Sequence, residues 1–465
     1  MAFLANTVTY LIVFFLLGVS SSRQDVTRLR KYMSPARLNE DNVLNMSASE
    51  TTDVADSSLL WSKESFSISY QENTNVYQLI LGSGSKKRGM VVPAEAVKSF
   101  KITRAFGSGL SADAVYLAVL TQEGKDDIAI VLKLFLKLND ARKEVSAIIN
   151  MNKIGLGEYF PTHVFSGKIG GARLKTLTKN KNAMVATEFE EVYAVQDFLV
   201  GLCSPASIDD IIKQVQKNIR LQELEHGSLQ LVADLVFQIF YIIYTMKTLG
   251  PYNHCDMHMH NVLLSLGAVQ PSMELGGTSY SLKNPSGIRV KVIDLDTMTK
   301  VKKVVGRNKL CNTKKAVWSG TRKVLTQSNA LLKSCKLSNA ISDPLGDAVA
   351  KGNPISEQLK AISDPVDGDM YHFRWMLEVL EAKLELGIDM HRLEKVVDAF
   401  SEMRLPHYNK AEHITEYYKD NLSQLYSIVF VGTKLSQYVS EGLTNRGKSQ
   451  AQAVQSVTYA WITDE

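Results

Sequence analysis

The sequence has few cysteines and little excess charge, and both shortages exclude classes of protein. Four cysteines in 465 residues are too few for a disulfide-built scaffold, and their spacing matches no zinc-binding motif. The net charge of +5 does not demand a nucleic-acid partner, and the chain contains no nucleic-acid-binding motif and no internal repeat. What remains is an ordinary globular composition, 45% hydrophobic and 22% charged, which suits two or three packing units.

The amino terminus carries a pattern typical of secretion. An apolar run at 10–19 leads into small residues at 19–21, which predicts a cleaved signal peptide over residues 1–21. An uncleaved signal anchor is the alternative, because residues 2–19 are almost long enough to span a bilayer. We expect no later segment to be long and apolar enough to span a membrane. The protein is therefore expected to be secreted or to lie in the lumen of the secretory pathway, or to be tethered by the uncleaved anchor.

Two further features have meaning in that secretory setting. Asn45 and Asn421 each begin a glycosylation sequon. Cys311 and Cys335 would be able to pair in an oxidising lumen, and free buried thiols are an equal alternative.

Patterns along the chain divide it into a polar leader, a strand-rich region and a helical region. Residues 22–95 are polar and are expected to form a partly disordered leader, with folding signals beginning near residue 96. Strand patterns occur at 100–106, 115–120, 128–135, 163–166 and 184–189, with a helix at 140–151. The sequence predicts an α+β fold, with a small strand-rich N-lobe at 96–190 and a larger helical C-lobe at 191–465 that leave a cleft.

In the C-lobe the residues 228–249 are apolar nearly all round, which predicts a helix at the centre of a core. Short strands are predicted at 262–264 and 290–293, with the stretch 266–288 inserted between them. Further helices are predicted at 370–384, 390–400, 411–430 and 450–460.

Several polar residues along this pattern are those that phosphoryl transfer needs. Gly107 and Gly109, between two predicted strands, would let backbone amides approach phosphate oxygens, although glycines in such a position more often form a simple turn. Lys133 ends an apolar strand, where a lysine is costly unless it meets an anion; a solvated edge strand is the alternative. Asp256 and Asn261 lie five apart after the apolar helix, and Asp294 ends the strand at 290–293. This set provides a cation for phosphates, oxygens for a metal and a carboxylate for the acceptor hydroxyl.

In order and element type these motifs resemble the protein kinase superfamily over roughly residues 96–440. His254, Asp256 and Asn261 match the catalytic-loop pattern His-Arg-Asp-Leu-x-x-x-Asn. The resemblance implies that Asp256 orients the acceptor hydroxyl and takes its proton, while Asn261 and Asp294 bind Mg²⁺. A zinc site at the neighbouring histidines is a minor alternative, because their spacing is not that of helical ligands.

The resemblance also implies an ATP site. The residues implied to contact ATP are Gly107, Gly109, Val115, Val131, Lys133, Glu188, Phe189 and Leu263. Glu144 on the short helix is expected to pair with Lys133, Thr187 to act as gatekeeper, and Asp369 to steady the backbone of the catalytic loop.

Four positions in these segments depart from the family pattern. Cys255 replaces the arginine that contacts a phosphorylated activation loop, and His258 replaces the lysine typical of Ser/Thr-specific members. Leu295 and Asp296 replace Phe and Gly after Asp294. A basic run at 300–323 follows, either a solvated loop or a contact for an acidic substrate or a membrane surface.

The expected function is therefore an ATP- and Mg²⁺-dependent protein kinase that transfers the γ-phosphoryl group to protein hydroxyls, of Ser/Thr type, in a secreted or lumenal setting. Its expected partners are ATP and a protein substrate, without nucleic acid and with membrane contact only through the signal segment or the basic loop. Two alternatives stay open: a pseudokinase that binds nucleotide or a partner, favoured by the altered glycine loop and Asp-Leu-Asp, and a small-molecule kinase, favoured by Asp-x-His.

Overall fold

A computed structural model of the chain describes residues 65–71, 76–81, 97–107, 112–122, 126–170, 183–222, 227–300, 368–401 and 411–443. These fall into two compact units: the residues up to Leu136 together with Val164–Phe189, and Lys137–His163 together with the residues from Glu190 onward. The fold is mixed α+β, with a strand-rich N-terminal region and a helical C-terminal region, as the sequence predicts. The predicted signal peptide, Asn45, Gly109, Cys311, Cys335, the helix at 450–460 and the basic run beyond Lys300 lie outside the described residues.

Seven strands of the N-terminal region close into a barrel in the order β1-β2-β3-β4-β5-β7-β6. They are β1 Ser65–Gln71, β2 Val76–Leu81, β3 Val97–Gly107, β4 Ala112–Gln122, β5 Ile128–Phe135, β6 His163–Gly170 and β7 Ala183–Glu188. The pairs are antiparallel except where β1 closes the barrel against β6 in parallel.

The first two strands correct the expectation that folding begins near residue 96. Serines alternate with Phe66, Ile68 and Tyr70 in β1, which is the period of a strand with one buried face. The polar character of 22–95 as a whole hid this alternation. Pairing with β2 and β6 then satisfies the backbone of a segment that is too short to be stable alone.

Alternation along β5 separates a core face from a second face. Ile130, Leu132 and Leu134 are buried, and Val131 and Lys133 are partly exposed on the opposite face. The three buried residues join an apolar cluster completed by Phe100, Ala118, Leu120, Val164, Phe165, Met184 and Ala186. Lys133 therefore lies on the face of β5 that points away from this apolar cluster.

The described residues of the second unit form seven helices: α1 Leu138–Lys153, α2 Val195–Leu202, α3 Ile208–Asn218, α4 Ser228–Leu249, α5 Gly368–Leu384, α6 Met390–Ser401 and α7 Ala411–Phe430. Helix α4 lies at their centre, with Phe237 and Phe240 fully buried against Phe430 of α7. Among the described residues it is the one helix long and apolar enough to cross a membrane, so the expectation that no later segment would qualify was wrong. Because 83% of its most apolar window is buried inside the protein, it is the core helix that the sequence predicted.

Small sheets connect these helices. β8 Val192–Ala194, β10 Val262–Leu266 and β13 Ile288–Val292 form one sheet in the order β13-β10-β8. β9 Tyr252–Asn253 pairs with β14 Thr299–Lys300, and β11 Ser272–Leu275 and β12 Thr278–Leu282 form a sheet with β15 Val439–Leu443.

The stretch 266–288, predicted only as an insertion, thus contains the β11–β12 hairpin. Gly276 and Gly277 occupy its two-residue turn with φ of 57° and 83°. A turn with positive φ at both central residues matches the twist of the flanking strands, and glycine adopts it without steric cost.

Candidate active site

The barrel brings several of the predicted ATP-binding residues into two rows on one face. Gly107 lies opposite Val115, and Val115 lies opposite Lys133. Two residues further along β5, Val131 lies opposite Thr187 of β7. Directly opposed residues of antiparallel strands project from the same face, and the period of a strand is two. The glycine, the two valines, the lysine and the threonine therefore share the face opposite the barrel core.

The predicted adenine-binding strand lies beside β5. Glu188 is paired with Ile130 and is exposed, and the backbone N–H of Phe189 donates to the carbonyl of Ala129 over 3.0 Å. Phe189 is half-buried. The chain leaves the barrel at this point.

In the second unit, a buried carboxylate binds the backbone of the predicted catalytic loop. Asp369, fully buried at the start of α5, accepts the N–H of His254 over 2.8 Å and the N–H of Cys255 over 2.9 Å. Cys255 has a φ of 66°, a left-handed conformation that costs energy for a residue with a Cβ. Hydrogen bonds to the carboxylate stabilise this conformation, which is the role that the sequence predicted for Asp369.

The ring of His254 connects this loop to the segment that carries Asp294. Its Nδ1 accepts the backbone N–H of Asp256 over 3.3 Å, and its Nε2 lies 3.0 Å from the carbonyl of Ile293. Because Nδ1 accepts, the proton of the neutral ring is on Nε2, which donates to Ile293. Among the described residues, no three His, Cys, Asp or Glu side chains are grouped so that they could hold a metal ion.

A second set of hydrogen bonds connects Asp256, Asn261 and Ile293, the residue that directly precedes Asp294. The Nδ2 of Asn261 donates to the carbonyl of Asp256 over 2.9 Å, and the N–H of Ile293 donates to the carbonyl of Asn261 over 2.9 Å. Asp256 and Asn261 are buried, at 3% and 6% exposure. Asp294 itself has a φ of 68°, a conformation that Asp tolerates better than most residues.

The side chains in this network suit a magnesium ion. Because Nδ2 of Asn261 is turned toward Asp256, its Oδ1 points away from that bond, and Asp294 adds a carboxylate. Amide and carboxylate oxygens are the ligands that Mg²⁺ prefers. The donor set therefore fits the metal that the resemblance implies.

His258 lies beside the carboxylate of Asp256. Its Nε2 is 3.8 Å from Oδ2 of Asp256, and both side chains are buried. The His258 ring also lies 6.1 Å from that of His372 on α5 and 6.0 Å from that of His260. His258 thus places an imidazole next to the carboxylate of Asp256.

Glu144 is buried on the inner face of α1, at 1% exposure. That helix packs against the turn Leu295–Thr297, which follows Asp294 directly. Lys133 belongs to the other compact unit, and the expected pairing of the two residues stays a prediction.

An ion-pair cluster that the sequence reasoning missed supports the strand leading to Asp294. Glu190 receives Lys291 Nζ at 2.6 Å and Arg289 Nη2 at 2.9 Å, and Lys291 also donates to the carbonyl of Phe160 over 3.1 Å. Leu263, the predicted floor of the adenine pocket, lies opposite Lys291 in the same sheet and is half-buried. The basic residues two apart in β13 were the available signal, because they project from one face and need an acidic partner.

Two cysteines are also more constrained than the sequence suggested. Cys203, just after α2, and Cys255, in the catalytic loop, are both disulfide-bonded. The Sγ of Cys255 lies 3.5 Å from Oγ1 of Thr299. The residue before the predicted catalytic aspartate is therefore fixed covalently as well as by Asp369.

No protein-family model matches the chain, and the comparison with curated proteins found no match. Among solved structures, the chain is similar to WaaP in complex with acyl carrier protein, at 16% identity and a TM-score of 0.28, over 60% of this chain and 89% of that one. It is also similar to the BubR1 kinase domain, at 12% identity and a TM-score of 0.33, over 74% of this chain and 90% of that one. Both TM-scores lie below 0.5, so the geometry of the loop carries the functional argument.

Proposed function

We propose that the protein is an ATP- and Mg²⁺-dependent kinase that transfers the γ-phosphoryl group to Ser or Thr hydroxyls of proteins. The observation that carries this proposal is the hydrogen-bond network that joins Asp256, Asn261 and Ile293. The carboxylate of Asp369 binds the backbone of the same loop. A loop arranged only for packing would have no reason to bury a carboxylate, an amide and a histidine side by side.

Each residue of the network has a role in the transfer. The carboxylate of Asp256 orients the acceptor hydroxyl and takes its proton as the new O–P bond forms and the bond from the γ-phosphorus to the β–γ bridging oxygen breaks, releasing ADP. Asn261 and Asp294 would hold Mg²⁺, which supplies neutralisation of phosphate charge when bound. Asn261 is oriented for this by its hydrogen bond to Asp256.

The barrel would supply the nucleotide contacts. Lys133 is proposed to bind the α- and β-phosphates, next to Val115 and Gly107 in the same row. Val131, Leu263 and the backbone at 188–189 would contact the adenine. Its place beside Gly107 and Val115, two other residues implied to contact ATP, supports the assignment.

The proposed setting is a secretory lumen or the extracellular space. Disulfide bonds at Cys203 and Cys255 support this, because such bonds persist in oxidising compartments and are rare in the cytosol. An acceptor encountered there would be a secreted or lumenal protein.

The test is incorporation of labelled γ-phosphate into generic protein substrates with Mg²⁺, comparing the wild type with Asp256→Asn. The substitution keeps the shape but removes the base, so we expect the rate to fall by about 10²–10⁴-fold. Asp209→Asn, the same change at an exposed position of α3, is the matched control and should leave the rate unchanged.

Other outcomes separate the alternatives. A nucleotide-induced rise in thermal midpoint without phosphate transfer would identify a pseudokinase. Transfer confined to a sugar, choline or aminoglycoside would identify a small-molecule kinase. Equal rates for wild type and Asp256→Asn would remove Asp256 from the mechanism.

A further inference from the structure

A buried lysine lies beneath the catalytic loop. Lys247, in the last turn of α4, is fully buried, and its Nζ donates to Oδ1 of Asn253 over 2.5 Å. The same Nζ lies 5.1 Å from the centroid of the Tyr418 ring on α7. Removing an amine from water is costly, and an apolar side chain of similar volume at such a position is often at least as stable. Packing alone therefore does not explain a lysine at this position.

The Tyr418 ring is fixed relative to the helical core. It is buried, and it stacks on Phe400 of α6 with centroids 5.9 Å apart. A cation over the face of an aromatic ring is attracted by the ring quadrupole. Lys247 thus connects a rigid contact between two helices with Asn253.

Asn253 lies where the segment that leads into the loop with Asp256 contacts the segment that follows Asp294. It is fully buried in β9, is paired with Thr299 of β14, and directly precedes His254. The hydroxyl of Thr297 donates to the carbonyl of His254 over 2.8 Å. The chain entering the catalytic loop and the chain leaving Asp294 are therefore in contact at Asn253.

We infer that Lys247 is a positioning residue for phosphoryl transfer: through Asn253 it fixes the β9–β14 pair, and with it Asp256 and Asp294, against the helical core. This inference rests on the proposed function. Lys247 touches neither nucleotide nor acceptor, so its loss should change the rate of transfer more than the binding of ATP.

The test uses the full chain with three variants. Lys247→Met removes the amine and keeps the length of the side chain; we expect kcat to fall about 10–100-fold, because small misplacements of reacting groups are costly, while KM for ATP stays within roughly twofold. Lys217→Met, the same change at an exposed position of α3, should match the wild type.

The third variant separates positioning from stability. In Lys247→Met/Asn253→Leu both polar partners are replaced by apolar groups, which is often nearly neutral for folding. We expect its thermal midpoint to rise back toward that of the wild type while kcat stays low. Recovery of kcat together with the midpoint would overturn the inference, as would wild-type kcat in Lys247→Met.

Hydrogen exchange keeps the inference distinguishable from the proposed function. If the wild type transfers no phosphate, the proposed function fails, and the backbone amides of His254 and Cys255 become the readout. We expect both amides to exchange faster in Lys247→Met and in the double variant than in the wild type and Lys217→Met. Unchanged exchange at these amides would overturn the positioning role of Lys247.

Discussion

At the scale of single residues, His163 makes the folded state sensitive to acid. His163 is the first residue of β6, and the Nε2 of its ring is buried without a hydrogen-bond partner. Burial lowers the pKa of His163 from 6.5 to about 4. The unfolded chain therefore binds this proton at a higher pH than the folded chain does. Stability is full above the ordinary pKa and is lost progressively as the pH falls from 6.5 toward 4.

His163→Phe should flatten this dependence. We expect the wild type to lose about 2 kcal/mol of unfolding free energy between neutral pH and pH near 5 through this residue, and the variant to lose correspondingly less. Urea unfolding at both pH values measures the difference. Parallel losses in both proteins would show that the imidazole titrates normally in the folded state.

Asn421 shows how a residue's surroundings change the meaning of a motif. The sequon places it in α7, where it is buried at 8% exposure and its Nδ2 donates to the carbonyl of Tyr417 over 2.9 Å. A buried, hydrogen-bonded amide is not accessible to a glycosyl transferase in the folded chain. In the folded chain Asn421 is therefore a buried helix residue and not an exposed glycosylation acceptor.

At the scale of elements, the β13-β10-β8 sheet supports Asp294 through Glu190. Burial alone would raise the pKa of Glu190, but the hydrogen bond and charge of Lys291 and the charge of Arg289 outweigh it and hold the pKa below its ordinary value. Because the pKa is lowered, the contribution of Glu190 to the free energy of unfolding is fully present above its ordinary pKa. That contribution is lost as the pH falls through the lowered pKa.

Glu190→Gln should therefore cost about 2 kcal/mol or more at neutral pH, because it removes the carboxylate that faces the buried Lys291. Glu191→Gln is the control: its pair with Arg220 at 2.7 Å is half exposed, and such pairs contribute about 1 kcal/mol at most. Denaturant unfolding at neutral pH and below pH 4 measures both. Equal losses at neutral pH, or a Glu190→Gln defect that persists undiminished in acid, would contradict this account.

At the scale of the whole molecule, disulfide bonds constrain both the end of α2 and the loop that carries Asp256. Crosslinks of this kind typically contribute about 2–4 kcal/mol. We expect a reducing agent to lower the thermal midpoint, and the proposed phosphate transfer to be lost at a lower temperature in the reduced protein than in the oxidised protein. Alkylation of the denatured, unreduced chain is the check, because reactive thiols at Cys203 and Cys255 would show that the bonds do not form.

The sequence by itself determined the features that depend on neighbouring residues. Helices α4 and α7 begin and end where their patterns predict, and the segment with Asp256 and Asn261 leads from the apolar helix into a short strand, as expected. The β1 and β12 strands and the Gly276-Gly277 turn were also encoded locally but were missed within polar surroundings. Hydrophobic periodicity and the spacing of nearby residues do not depend on the conformation of the rest of the chain, so the sequence alone is enough to detect them.

Only the tertiary structure decided which distant residues meet. The carboxylate that holds His254 comes from Asp369, 115 residues away, and Lys133 joins Gly107 through the register of β3, β4 and β5. Likewise Lys247 meets the ring of Tyr418 because α4 and α7 pack against each other. Such contacts depend on strand register, helix packing and chain reversals, which follow from burying the whole apolar surface at once and not from any one segment.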